Sequence, residues 1–199
     1  HSTNWTVAQA LDFMEHRDPT CPFFLTVNFI AAHPPLQAPT PYYERYLRTG
    51  VPDPHIGDWA EPPDNSGRGL DVGSLHAQLE GEKLLAARAG YYGLINHLDD
   101  QIRRLLYPAV SGIDWDNTIV MLTSDHGEML GDHYRWHKLM PYEGAARIPL
   151  MIRAPQRFGI NAGTVIDEVV SLEDVMPTLL EMADVPIPET VEGKSLLPA

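Results

Sequence analysis

Residues 123–149, TSDHGEMLGDHYRWHKLMPYEGAARIP, carry the densest chemistry in the chain. Asp125 and His126 stand side by side, and Gly127 follows, where the backbone can turn tightly. A carboxylate supplies charge for a hard divalent cation and an imidazole adds a borderline donor, a pairing suited to Mn²⁺, Fe²⁺ or Zn²⁺ more than to Ca²⁺. Two donors do not close a coordination shell, so further ligands must come from elsewhere. Glu128, Asp132, His133 and His137 are near in sequence, yet charged loop residues are ordinarily just solvated. Lys138 differs in kind. It lies twelve residues past His126, flanked by Trp136 and Tyr142, whose rings can shield it from water. A lysine beside a metal is costly unless an anion sits between them, so the pair points to a bound oxyanion. The plain alternative is a surface lysine paired with Glu143. His33, in AAHPPLQAP, is followed by two prolines that stiffen its loop. An isolated histidine is more often a hydrogen-bonded structural residue.

Such groups act together only if firm elements hold them. Residues 22–30, PFFLTVNFI, are an almost unbroken apolar run rich in aromatic and β-branched side chains, the pattern of a central strand covered on both faces. Residues 117–123, NTIVMLT, read as a second buried strand, and residues 149–153 and 165–170 as further ones. Residues 4–16 place Trp5, Ala8, Leu11, Phe13 and Met14 at roughly helical spacing, with Asp18-Pro19 as the stop. Over 75–106 a stripe of Leu84, Ala87, Tyr91, Leu94, Ile95, Leu98, Ile102 and Leu105 predicts a long helix. Residues 172–183 predict another, with Pro177 near its first turns. Residues 31–74 are broken throughout by proline and glycine, and only 42–47 look helical. So long an irregular segment reads as a surface excursion near a substrate mouth, or as a plain insertion. Buried strands alternating with helices indicate an α/β fold with a largely parallel sheet flanked by helices. Ligands collect at the carboxyl ends of strands in such sheets, which is where His33, Asp125 and His126 fall.

The chain's 199 residues amount to one domain or part of a larger one. No apolar run approaches the ~20 residues that cross a bilayer, so no membrane-spanning segment is expected. A net charge of −13, from 27 acidic and 14 basic residues, argues against nucleic acid as a partner. The single cysteine, Cys21, forbids an intrachain disulfide and is expected as a buried thiol beside the first strand. The chain starts at His1 without an apolar leader and stops at Ala199 without a charged tail. It is therefore expected to be truncated at both ends, which leaves localisation and oligomeric state open.

Taken in order, these segments resemble the sulfatases of the alkaline-phosphatase-like superfamily. PFFLTVNFIAAHPPLQAP is similar to the family's strand and histidine loop, YYGLINHLDDQIRRLL to its long helix, and TSDHGEMLGDHYRWHKLMPYEG with RIPLMIRAP to its metal-and-lysine segment. VVSLEDVMPTLLEMADVPIP and GKSLLP resemble the last helix of the catalytic domain and its trailing loop. The resemblance implies that residues 1–199 are the C-terminal half of the catalytic domain of a metal-dependent sulfatase acting on a small-molecule sulfate ester. It implies that Asp125 and His126 bind the divalent cation (Ca, Mg or Mn), a Lewis acid that also positions the nucleophile. Lys138 and His33 would contact the ester's sulfate oxygens, His33 protonating or orienting the leaving oxygen and Lys138 offsetting charge on the transferring group. Many sulfatases carry Asn where His126 stands. The His form also occurs in choline-sulfatase-like and phosphonate-hydrolase-like relatives, so a phosphonate or phosphate-ester hydrolase is the alternative within the superfamily. The family's nucleophile is a formylglycine made from Cys or Ser in a C/S-x-P-x-R motif, expected upstream. Cys21, Ser171 and Ser195 do not match that motif, and the acidic pair that completes the metal shell is also expected upstream. The chain alone is expected to have no meaningful turnover and to bind metal weakly. A non-catalytic module that keeps the fold and has lost the nucleophile is the remaining reading.

Overall fold

The computed structural model describes residues 1–64 and 75–197, so part of the predicted excursion, residues 65–74, lies outside the described residues. The chain divides into two compact units, one of residues 1–113 and 126–147, the other of residues 114–125 and the stretch from Ile148 onward.

The first unit is organised on its longest helix. Five helices are described: α1 Ser2–His16, α2 Thr40–Thr49, α3 Gly81–Leu106, α4 Pro108–Ser111 and α5 Glu143–Ala146. The predicted long helix begins at Gly81 rather than at residue 75, because 75–77 run extended against 134–136. Ala77 N–H donates to Tyr134 O and Trp136 N–H to Leu75 O. The fully buried face of α3 is Arg88, Ala89, Gly90, Gly93, Leu94, His97 and Gln101, whereas the predicted stripe is mostly half-covered and Ile95 is exposed. Glycine explains the offset. A Cβ at Gly90 would stand 2.2 Å from Leu36 O, and one at Gly93 2.8 Å from the Ala38 Cβ. The missing side chains let the segment just after His33 lie directly on α3.

Helix α1 is also rotated from expectation. Its buried residues are the small Thr3, Val7 and Ala10, and Trp5 is exposed. Small side chains permit the close approach at which Asn4 Oδ1 meets His97 Nε2 at 2.7 Å. The neutral ring then carries its proton on Nε2, and Nδ1 is buried with no hydrogen-bond partner among the described residues. Burial pushes the His97 pKa below its ordinary value of 6.5. Below that ordinary value the unfolded chain takes up a proton that the folded ring resists, so stability falls as pH drops through 6.5 toward the folded value. Above about pH 7 both states are neutral here and the site contributes no slope. In urea unfolding at about pH 7.5 and 5.5, His97→Gln is expected to lose less stability on acidification than the parent sequence. Equal losses would show that the buried ring is not the titrating group.

The second unit pairs β1 Val120–Thr123 with β2 Leu150–Arg153, antiparallel, in the register Val120↔Arg153 to Thr123↔Leu150. The Arg153 guanidinium lies 4.0 Å over the Trp115 ring and donates to Trp115 O. Helix α6, Val175–Met182, follows a capping box in which Ser171 accepts from Glu173 N–H and Asp174 accepts from Ser171 N–H. Asp174 also accepts from Lys194 N–H, and Thr178 Oγ1 accepts from Leu196 N–H, stitching the trailing loop to the helix.

Two expectations are corrected, and the largely parallel sheet is not seen among the described residues. The described residues form one two-stranded antiparallel sheet, and no parallel pairing is present among them. Residues 22–30 and 165–170 are not in strands; a strand requires a neighbour to receive its backbone hydrogen bonds, and among the described residues neither run has one in a ladder. Residues 24–30 do alternate in exposure, with Leu25, Val27 and Phe29 half-covered, Phe24 78% exposed and Ile30 71% exposed. That period of two is what an extended run gives. Cys21 is exposed, in a turn where its thiol donates to Asp18 Oδ2.

Candidate active site

Two distant segments of the first unit converge. His33 Nδ1 lies 2.9 Å from Pro34 O. A carbonyl only accepts, so Nδ1 carries the proton and Nε2 the lone pair. Lys138 Nζ stands 2.6 Å from that Nε2, across 105 residues of sequence. The His126 ring centre is 6.1 Å from that of His33, at an interplanar angle of 67°. His126 Nδ1 in turn donates to Gly127 O at 2.7 Å, which makes Nε2 its lone-pair nitrogen. That is the tautomer in which an imidazole ligates a cation through Nε2. His33, His126 and Lys138 therefore present two imidazoles and one ammonium around a common region of the first unit.

Asp125 is exposed and belongs to the second unit, joined to His126 by the peptide link. Among the described residues no group of three or more His, Cys, Asp or Glu could hold a metal ion. The chemistry of the Asp125-His126 pair, one carboxylate and one imidazole of the ligating tautomer, suits a share of a divalent cation's shell and not the whole of it.

The backbone that carries Lys138 is held by residues that the sequence offered only as loose metal candidates. Glu128, its side chain 6% exposed, accepts from the N–H of His137 and of Leu130. Asp132 accepts from His55 N–H, and His133 Nδ1 accepts from Gly57 N–H. His133 also lies among the rings of His55, Trp59 and Tyr142, with centroids 4.6–5.4 Å away. Trp136 donates its indole N–H to Ala77 O, and Tyr142 stacks on Trp59, so both flanking rings have structural partners. Glu143 pairs with Arg147, which displaces the reading of Lys138 as Glu143's partner. Sequence reasoning missed Arg88, a buried cation on α3 whose Nη1 donates to Leu130 O at 2.6 Å. Its signal was the spacing: Arg88 follows Leu84 by four residues, on the face the helix buries. Burial, reinforced by the negative charge of Glu128, pushes the Tyr91 phenol above its ordinary range.

The family model described as Sulfatase matches residues 1–185. The chain is 43% identical over 197 residues to an arylsulfatase of Clostridium perfringens (strain 13 / Type A), covering 98% of this chain and 41% of that protein. It is 32% identical to the multifunctional alkaline phosphatase superfamily protein PehA of Trinickia caryophylli, over 96% of this chain and 39% of that protein. The solved phosphonate monoester hydrolase SpPMH from Silicibacter pomeroyi superimposes with a TM-score of 0.77 at 30% identity, covering 96% of this chain and 40% of its own. This chain thus spans about two fifths of the length of the curated relatives it matches. With a family match over residues 1–185 and close relatives along almost its full length, the chain belongs to the sulfatase family.

Proposed function

We propose that this chain is the C-terminal half of the catalytic domain of a longer enzyme that hydrolyses small-molecule sulfuric esters. The observation that carries the reading is the 2.6 Å approach of Lys138 Nζ to His33 Nε2. An ammonium and an imidazole nitrogen held in hydrogen-bond contact put a positive charge and a proton-carrying ring side by side, which is what an anionic ester needs as it transfers a sulfuryl group. Lys138 offsets charge on the sulfate oxygens. His33, whose Nδ1 proton is committed to Pro34 O, orients the leaving oxygen through Nε2 and supplies its proton when the ring is doubly protonated. Asp125 and His126 serve as two ligands of a divalent cation, which when bound polarises the ester oxygens. The formylglycine nucleophile and the remaining metal ligands belong to sequence outside this chain, in keeping with its two-fifths share of its relatives.

The finer architecture belongs to the same proposal. In the complete domain, a largely parallel sheet flanked by helices lies beside the extended run of residues 22–30. The alternating exposure of 24–30, with Phe24 and Ile30 uncovered, supports that reading. With a net charge of −13, a small-molecule ester is favoured over nucleic acid as the partner.

A second reading has specific support. His126 stands where many sulfatases have Asn, and a phosphonate monoester hydrolase superimposes on the chain. Comparing kcat/KM of the longer enzyme for 4-nitrophenyl sulfate and for a phenyl phosphonate monoester separates the two. Sulfate is expected to be the better substrate, and the purified 199-residue chain alone is expected to turn over neither. Preference for the phosphonate, or efficient sulfate hydrolysis by the isolated chain, would overturn the proposal.

A further inference from the structure

We infer that Glu128 is a positioning residue for Lys138, acting as a backbone clamp and not as a metal ligand or an acid-base group. The inference rests on the reading above, in which Lys138 meets the ester's charged oxygens. The segment between Glu128 and Lys138 is conformationally demanding. Leu130, His133, Tyr134 and His137 all have positive φ, at 49°, 52°, 61° and 65°, in the left-handed region that L side chains rarely adopt. Four such residues within eight positions persist only where surrounding contacts over-determine them.

Those contacts are on both sides of the loop. Glu128 Oε1 accepts from Leu130 N–H at 3.3 Å and also from His137 N–H, so one carboxylate oxygen ties the start of the loop to its end. Met129 N–H donates to His137 O at 2.9 Å, doubling the closure. From α3, Arg88 takes the carbonyl of Leu130, so both polar groups of that residue's backbone are held by side chains. His137 is the residue immediately before Lys138. Its N–H is gripped by Glu128 and its own φ is left-handed, so the direction in which Lys138 leaves the backbone depends on this clamp. The Glu128 side chain is 6% exposed and His137 Nδ1 is 4.0 Å from its second oxygen, Oε2. This carboxylate therefore faces its own loop and has little access to solvent.

The chemistry predicts how substitutions divide. A glutamine keeps an oxygen that accepts both N–H groups and loses only the charge; an alanine loses the clamp. In the full-length enzyme acting on 4-nitrophenyl sulfate, Glu128→Ala is expected to lower kcat about thirtyfold with little change in KM, as expected when a transition-state contact is displaced by a fraction of an ångström. Glu128→Gln is expected to stay within about threefold of the parent. Because Glu128 acts through Lys138, the double variant Glu128→Ala/Lys138→Ala is expected to be no slower than Lys138→Ala alone. If Glu128→Gln is as slow as Glu128→Ala, the charge matters and the clamp is refuted in favour of a ligand or acid-base role. If the double variant loses the thirtyfold again, Glu128 acts on the fold at large and the inference also fails. Should Glu128→Ala not fold, Glu128→Asp, one methylene too short to hold both N–H groups, takes its place with the same expectations. If Lys138→Ala itself is active, the proposed function has failed, and the clamp with it, by a route the other arms do not share.

Discussion

Lys138→Ala is expected to lower kcat/KM for a sulfate monoester by about 10²–10³, corresponding to roughly 3–4 kcal/mol of transition-state stabilisation. The size follows from where the charge lies. Lys138 is half-buried and one of its three N–H donors is directed onto His33 Nε2 at 2.6 Å, a bond that anchors the ammonium and leaves its other donors for charge that develops on the transferring group. A fixed donor of this kind contributes more to the transition state than to the ground state, and the loss should appear mainly in kcat. Lys138→Arg should rescue poorly, because a planar fork does not reproduce a point charge packed against an imidazole. Steady-state kinetics of the longer enzyme checks both variants. A Lys138→Ala protein within threefold of the parent would remove Lys138 from the chemistry, and with it the geometric basis of the sulfatase reading.

That lysine and its partner were legible in the sequence because each follows a recognisable punctuation: His33 precedes two prolines and lies beyond an apolar run, while Lys138 ends a segment opened by Asp125, His126 and Gly127. Their convergence was not legible, since 105 residues separate them and the close seating of the segment after His33 on Gly90 and Gly93, which carries the first toward α3, leaves no apolar signal. Helices were read more faithfully than strands. A helix satisfies its own backbone, so α1, α2 and α3 stand where periodicity placed them, give or take a few residues at their ends. A strand borrows its hydrogen bonds from neighbours. Residues 22–30 have strand composition without a partner in a described ladder, while residues 120–123 and 150–153 pair antiparallel. Which face of a helix is buried was also misjudged wherever small residues won. Apolarity pointed to Trp5 and Ile95, but close packing selected Val7, Ala10, Gly90 and Gly93. Counting apolar side chains does not register an absent one.

The second large effect tests the same lesson at the site itself. Gly127 follows the Asp125-His126 pair, and a Cβ there would fall 2.1 Å from Gly144 O, with Gly144 C and Ala145 Cα next nearest. All three are backbone atoms, so no rotamer change relieves the clash. The two segments must separate by about 1 Å to reach an ordinary carbon–oxygen contact. They are joined there by Gly127 N–H to Ala145 O and Glu128 N–H to Gly144 O, each 2.8 Å, so both bonds are lost or badly bent. The shift acts on His126, whose ring is oriented by the Gly127 carbonyl, and on the start of the Glu128 clamp. Gly127→Ala is therefore expected to reduce kcat/KM at least about 100-fold, since ångström-scale misplacement of catalytic groups costs that much. It should also destabilise the fold by roughly 2–4 kcal/mol. The contrast is Gly144→Ala, in the facing helix α5. Its Cβ would meet Glu128 O at 3.3 Å and Met129 at 3.4 Å, contacts relieved by a few tenths of an ångström, and activity should stay within about threefold. Thermal unfolding and steady-state kinetics of both variants decide the matter. If Gly144→Ala proves the more damaging, it is the space behind Met129, rather than the backbone approach at Gly127, that fixes His126.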